Sequence, residues 1–272
     1  MTGALRLAIV GWPVGHSLSP RLWEAMGARR GIAVTYEARA VAPDDVDGWA
    51  ALWSSSLDGF NVTSPHKERA AAACASLAPS AARIGAANLV AGALTGWEGH
   101  STDGYGFARA LLAEGERIRG RTAVVLGTGG AGRAAARALA DEGAAVTFVT
   151  RSPAAAPAGC EDLPRIGWDA VEDAGPFDIT VNATTTGAEP PAPPIPYARW
   201  CRGALAVDLH YAPPLTAFLE AAHAAGARTL NGFGMLIHQA CLGAALLVEK
   251  DPAAAESYEE DFWAAARQVS SS

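Results

Sequence analysis

The 272-residue chain is half hydrophobic and 18% charged, the balance of a folded globular protein with ample core for one large or two medium domains. Its formal net charge of −7 advertises no basic surface for nucleic acid or anionic lipid, so an anionic ligand needs a site built against the overall sign. Cys74, Cys160, Cys201 and Cys241 have neither metal-type nor redox-type spacing and read as reduced thiols, which with Arg6 interrupting the N-terminal apolar stretch predicts a cytoplasmic protein.

Short β-rich runs alternate with alanine-rich helical stretches, which predicts an α/β fold with parallel sheets. Leu5–Val10, Val34–Ala40, Gly59–Val62 and Leu89–Gly92 read as strands. Pro20–Arg29, Pro43–Trp53 and Pro65–Ala75 read as helices opened by a proline, which suits a first helical turn. A helix from Asp103 to about Ala113 leads through a polar turn, Arg117–Gly120, into the strand Thr122–Leu126. A glycine turn and a helix, Ala131–Glu142, follow, then the strands Ala145–Thr150, Asp178–Asn182, Ala204–Asp208 and Arg228–Leu230. Ala154–Ala158 and Pro190–Pro196 read as loops. The uncharged run Thr229–Val248 carries Asn231, His238, Gln239 and three glycines, so it reads as a buried loop and helix rather than a membrane span. A last helical block, Phe233–Val269, is free to pack back on the first domain.

Gly127-Thr128-Gly129-Gly130-Ala131-Gly132 satisfies GxGxxG between a strand and a helix. Glycines there let backbone N–H groups approach a pyrophosphate at the helix N-terminus. The second strand of this unit ends in Thr150-Arg151-Ser152, without the acid that holds a ribose 2′-hydroxyl in NAD sites. Arg151 suits a 2′-phosphate instead, which favours NADP; the plainer reading is an ordinary solvated loop arginine.

Four polar clusters follow strand ends, where α/β sites are built: Gly15-His16-Ser17-Leu18-Ser19-Pro20, Asn61-Val62-Thr63-Ser64-Pro65-His66-Lys67, Gly85-Ala86-Ala87-Asn88 and Ser101-Thr102-Asp103-Gly104. Ser17 and Ser19 suit capture of a carboxylate, though Ser19 equally suits a helix N-cap. Lys67 is expected one turn into a helix, pointing inward. Taken singly, each cluster is also ordinary turn chemistry.

Together with the glycine turn, the segments Asn182–Gly187, Asp208–Pro213 and Asn231–Ala240, in this order along nearly the whole chain, resemble the shikimate dehydrogenase family. The resemblance implies two α/β domains, a substrate-binding catalytic domain over 1–103 completed by helices in 238–272 and a Rossmann NADP-binding domain over 104–237. It implies reversible NADPH-dependent reduction of 3-dehydroshikimate to shikimate, on the route to chorismate and the aromatic amino acids. Carried over residue by residue, Lys67 is the catalytic acid or base beside Asp103, and Ser17 and Ser19 hold the substrate carboxylate. Thr63, Asn88, Asp103 and Gln239 bind ring hydroxyls, with Tyr211 near the substrate. Gly127, Gly129, Gly130 and Ala131 line the pyrophosphate, Thr150 and Arg151 the adenosine ribose, and Leu209 and Gly232 the nicotinamide. A small-molecule substrate is the implied partner, with no nucleic acid or membrane, and a homodimer is allowed.

The sequence departs from the family pattern at Ser101, often Asn, at Trp23, often smaller and polar, and at Ala155, where a second basic residue is common. The last departure weakens the NADP expectation. Reducing a ring ketone places negative charge on its oxygen, which a lysine ammonium can stabilise and protonate. No metal is called for, and the six histidines show no paired spacing for one. Rival readings are a quinate/shikimate or aminoshikimate dehydrogenase and a non-catalytic metabolite sensor. The two serines favour shikimate over the bulkier quinate; Lys67, Asp103 and the full glycine turn argue against a sensor.

Overall fold

The structure is a computed structural model that describes residues 4–94 and 96–270. The chain forms two compact units, Met1–Thr102 with Ile237–Ser272 and Asp103–Leu236.

The first unit is built on a six-stranded sheet, ordered β2-β1-β3-β5-β6-β4, of β1 (Leu5–Gly11), β2 (Val34–Ala40), β3 (Gly59–Val62), β4 (Ser76–Leu77), β5 (Leu89–Ala93) and β6 (Gly96–His100). Its helices are α1 (Ser19–Arg30), α2 (Val46–Trp53), α3 (Lys67–Ala73) and α4 (Pro79–Ile84). The sheet is mixed rather than parallel: β5 runs antiparallel to β3 and β6. The β5–β6 connection is too short for a crossover helix, so the two strands can pair only as a hairpin.

Two of the three proline-opened helices begin later than the prolines suggest. Asp45 accepts the Gly48 N–H at 2.8 Å and caps α2 at Val46. A turn closed by His66 N–H donating to the Thr63 carbonyl delays α3 to Lys67. Trp23 on α1 is fully buried between the rings of Tyr36 and Phe262, which accounts for an indole where a smaller residue is usual. Phe262 lies on α10 (Glu259–Ser270), whose Asp261 binds Arg30 of α1 at 2.7 Å.

The second unit holds a six-stranded, all-parallel sheet, ordered β12-β11-β10-β7-β8-β9. Its strands are β7 (Thr122–Leu126), β8 (Ala145–Thr150), β9 (Arg165–Gly167), β10 (Ile179–Asn182), β11 (Leu205–Asp208) and β12 (Arg228–Leu230). The helices are α5 (Asp103–Ala113), α6 (Gly130–Asp141), α7 (Tyr197–Trp200) and α8 (Ala217–Ala224), while α9 (Phe233–Ala244) carries the chain across the unit boundary. Numbered from β7, the order is that of a Rossmann sheet, with the direction of strand progression reversing between β7 and β10. Alternate residues of β7 feed two cores: Ala123 and Val125 pack with Phe107 and Leu139, and Val124 and Leu126 with Trp200 and Phe218. That two-faced burial explains why the strand is a short unbroken apolar run.

Among the described residues no helix is long and apolar enough to cross a membrane and no His/Cys/Asp/Glu group could hold a metal. None of the four cysteines is in a disulfide; burial pushes the thiols of Cys74 and Cys201 up to about 11, which makes them poor nucleophiles.

Candidate functional site

In the first unit the polar residues converge at the carboxyl ends of β1 and β3 and beside the β5–β6 hairpin. Ser17 is half-buried in the loop after β1, and its Oγ accepts the Ser19 N–H at 3.3 Å. Ser19 is buried as the first residue of α1, and the N-cap is Leu18. Ser19 therefore does not cap α1; its own N–H donates to Ser17 Oγ. Ser19 meets the hydroxyl of Tyr36, which burial pushes far above its ordinary range and which the Ser19 bond pulls back. Tyr36 donates in turn to Asn61 Oδ1 at 2.6 Å, and Asn61 Nδ2 donates to the Asn88 carbonyl at 3.1 Å.

Asn88 and Gln239 come together through a residue given no role from the sequence, the fully buried Thr102. Asn88 Nδ2 donates to Thr102 Oγ1 at 2.8 Å, and Thr102 Oγ1 donates to Gln239 Oε1 at 3.2 Å. The Thr102 N–H closes the ring by donating to Asn88 Oδ1 at 2.6 Å. Tyr36 is the polar residue that the sequence does not point to, and Asn61 and Thr102 lie inside polar clusters without a role of their own. Thr102 sits inside the Ser101–Gly104 cluster, and its neighbours' polarity was the one available signal.

Lys67 is half-buried and starts α3 rather than lying a turn inside it. Its carbonyl accepts the Ala87 N–H at 2.9 Å, tying it to the segment that leads to Asn88. The preceding His66 is anchored: its Nε2 lies 2.7 Å from the Val41 carbonyl, which accepts only, so that nitrogen carries the proton. Thr63 is half-buried beside Gly11, where a Cβ would overlap the Thr63 methyl.

In the second unit Asp103 is buried as the first residue of α5, where a carboxylate suits the helix N-terminus. The glycine turn joins β7 to α6. Gly127 has φ +96°, which favours glycine, and a Cβ at Gly132 would overlap the Gly127 carbonyl. A Cβ at Gly129 meets nothing within 4 Å, and no side chain caps α6, whose N-cap is Gly129. Open space over uncapped N–H groups fits a pyrophosphate. Thr150 is buried at the end of β8, and Arg151 beyond it is exposed, with no carboxylate at 150–152. Leu209 and Gly232 are in direct contact, since a Cβ at Gly232 would overlap the Leu209 carbonyl. Tyr211 is half-buried, its ring 6.4 Å from that of Phe233.

Comparison with known proteins gives a consistent result. A family described as the shikimate dehydrogenase substrate binding domain matches residues 9–90. A shikimate dehydrogenase (NADP(+)) of Acidiphilium cryptum is 43% identical over 249 residues, covering 89% of this chain and 90% of the relative. One from Halorubrum lacusprofundi is 42% identical over 85% of this chain and 88% of its own. The crystal structure of shikimate 5-dehydrogenase from Thermus thermophilus, in complex with NADP(H) and shikimate, is similar with a TM-score of 0.79 at 34% identity. That match covers 95% of this chain and 99% of the other.

Proposed function

The chain belongs to the shikimate dehydrogenase family, and from that premise we propose that it interconverts 3-dehydroshikimate and shikimate with NADP(H), on the route to chorismate and aromatic amino acids. The observation that carries this reading is the buried Asn88–Thr102–Gln239 ring, adjoining a region that matches a substrate-binding family. In this proposal 1–103, completed by 238–272, binds the substrate, and 104–237 binds the dinucleotide.

Ser17 and Ser19 hold the carboxylate, with Tyr211 near the substrate; Thr63, Asn88, Asp103 and Gln239 take the ring hydroxyls. The two serine hydroxyls present neutral donors to that carboxylate. Gly127, Gly129, Gly130 and Ala131 hold the pyrophosphate, Thr150 and Arg151 the adenosine ribose and its phosphate, and Leu209 and Gly232 adjoin the nicotinamide. When bound, the dinucleotide supplies or takes up the hydride. Lys67 donates a proton to the ring oxygen as negative charge builds on it, and its neutral amine takes that proton back in the reverse direction. Asp103 orients the reacting hydroxyl beside it. A cytoplasmic location and a homodimer belong to the same proposal, checked by fractionation and light scattering.

The test is the absorbance change of NADP on adding shikimate, repeated with NAD and with quinate. Turnover of shikimate with NADP is expected to exceed the other three combinations. No turnover with any of them would sink the reading, and a preference for NAD and quinate would replace it with the quinate-type paralogue.

A further inference from the structure

Asp208 ends β11 with no exposed surface at all, and burying a carboxylate is costly unless donors surround it. Four donors do. Oδ1 accepts the His210 N–H at 3.0 Å and His210 Nδ1 at 2.9 Å. Oδ2 accepts Thr216 Oγ1 at 2.7 Å and Asn182 Nδ2 at 3.2 Å. This donor set suits an ionised carboxylate and fixes the proton of His210 on Nδ1.

Each partner belongs to a different segment at the carboxyl edge of the sheet, which is where open α/β sheets bind ligands. Asn182, the register partner of Asp208 on β10, also accepts the Thr184 hydroxyl at 2.7 Å and donates to the Thr186 carbonyl at 2.9 Å, shaping the 182–187 loop. That loop abuts the glycine turn: the Ala183 carbonyl would lie 3.2 Å from a Cβ at Gly127. Thr216 caps α8 through the Leu219 N–H. His210 sits between Leu209 and Tyr211, and its carbonyl accepts the Gly232 N–H at 2.9 Å.

We propose that Asp208 and His210 form a positioning pair that sets the loops receiving the nicotinamide half of the dinucleotide. The inference rests on the cofactor reading above. Neither residue need touch the ligand. Asp208 gathers the loop after β10, the loop after β11 and the start of α8 onto one carboxylate. The His210 ring is the one of these attachments that is partly exposed, and so replaceable without opening the core.

The experiment titrates full-length protein with NADPH, followed by fluorescence, and with 2′,5′-ADP, which carries only the adenosine half, followed by calorimetry. His210→Leu removes the Nδ1 bond and should weaken NADPH about three- to tenfold, a fraction of what a bond to a charged group supplies, while 2′,5′-ADP shifts less than about twofold. His210→Asn, whose amide reaches the place of Nδ1, should regain most of the loss. Asp208→Asn should show the same selectivity more strongly if it folds. Equal weakening of both ligands, or a lower melting temperature with unchanged NADPH affinity, would reduce the pair to fold maintenance and overturn the proposal. A wild type that binds NADPH no more tightly than 2′,5′-ADP would overturn it as well, since the nicotinamide half would then gain nothing from these loops. Neither probe is shikimate, so these results stand apart from the turnover assay that decides the substrate.

Discussion

Thr102→Val tests the buried polar ring directly. Valine fills the same volume, so no cavity opens, and the main-chain bond from residue 102 to Asn88 Oδ1 survives. What is lost is the hydroxyl, which accepts from Asn88 Nδ2 at 2.8 Å and donates to Gln239 Oε1 at 3.2 Å. Leaving one buried donor and one buried acceptor short costs about 2–6 kcal/mol if nothing adjusts. Asn88 Nδ2 already lies 3.4 Å from Gln239 Oε1. Closing that gap satisfies both stranded groups in part, so about 1–3 kcal/mol should remain. For a chain of this size that lowers the melting temperature by roughly 2–5 °C. Because both amides then lose their fixed orientation, the KM for shikimate should rise about three- to tenfold, with the KM for NADP unchanged. Thr102→Ser keeps the hydroxyl and should restore shikimate KM to within about twofold of wild type. Thermal melts and steady-state kinetics on the three proteins decide it. A Thr102→Val protein with wild-type melting and KM, or a Ser variant as impaired as the Val variant, would show that the ring does not orient these amides.

Lys67→Ala should reduce turnover by about two to four orders of magnitude with far less effect on shikimate affinity, and a variant keeping more than about a tenth of wild-type turnover would remove Lys67 from the chemistry. Ser17→Ala combined with Ser19→Ala should raise the KM for shikimate sharply, since each hydroxyl bond to a charged group contributes about 1.5–3 kcal/mol; cofactor affinity should hardly move. Arg151→Ala should weaken NADP about ten- to a hundredfold and leave NAD nearly untouched, with raised salt eroding the wild-type preference; equal losses for both cofactors would mean that Arg151 only shapes its loop. The bonds from Arg30 and, second, Arg29 hold the Asp261 carboxyl below its ordinary range. Its contribution to stability is therefore present above the ordinary carboxylate pKa and is lost as pH falls below about 4. Arg30→Ala combined with Arg29→Ala should flatten that part of the acid-melting curve, and an unchanged curve would mean that these pairs are screened out.

Much of this molecule is legible along the chain because its signals are local. Val34–Ala40, Gly59–Val62, Thr122–Leu126 and Ala145–Thr150 are the observed bounds of β2, β3, β7 and β8; β7 and β8 are runs of apolar or β-branched residues, while β2 and β3 carry polar residues among β-formers. The glycine turn is likewise a property of six consecutive residues. Other features have no such local mark. Gly96–His100, with two glycines and two charged or titratable residues in five, scarcely reads as a strand, yet it pairs with β5. Neither β4 nor β9 has more than three residues to announce it.

The polar site shows the same division. Ser17 and Lys67 stand out as polar residues after strand ends and Asn88 as one just before a strand, but the bonds that build the buried ring join residues far apart. Thr102 meets Gln239 across 137 positions, and Tyr36 meets Asn61 across 25. What brings Asn88 to Thr102 is the register of the β5–β6 hairpin, in which Leu89 faces His100. A one-residue slip would turn each side chain to the opposite face and separate them. The sequence by itself determined which residues could form strands, turns and polar clusters, since propensity and periodicity act over a few neighbours. Only the tertiary structure decided which donors meet which acceptors, because strand register and burial are settled by the packing of the whole unit.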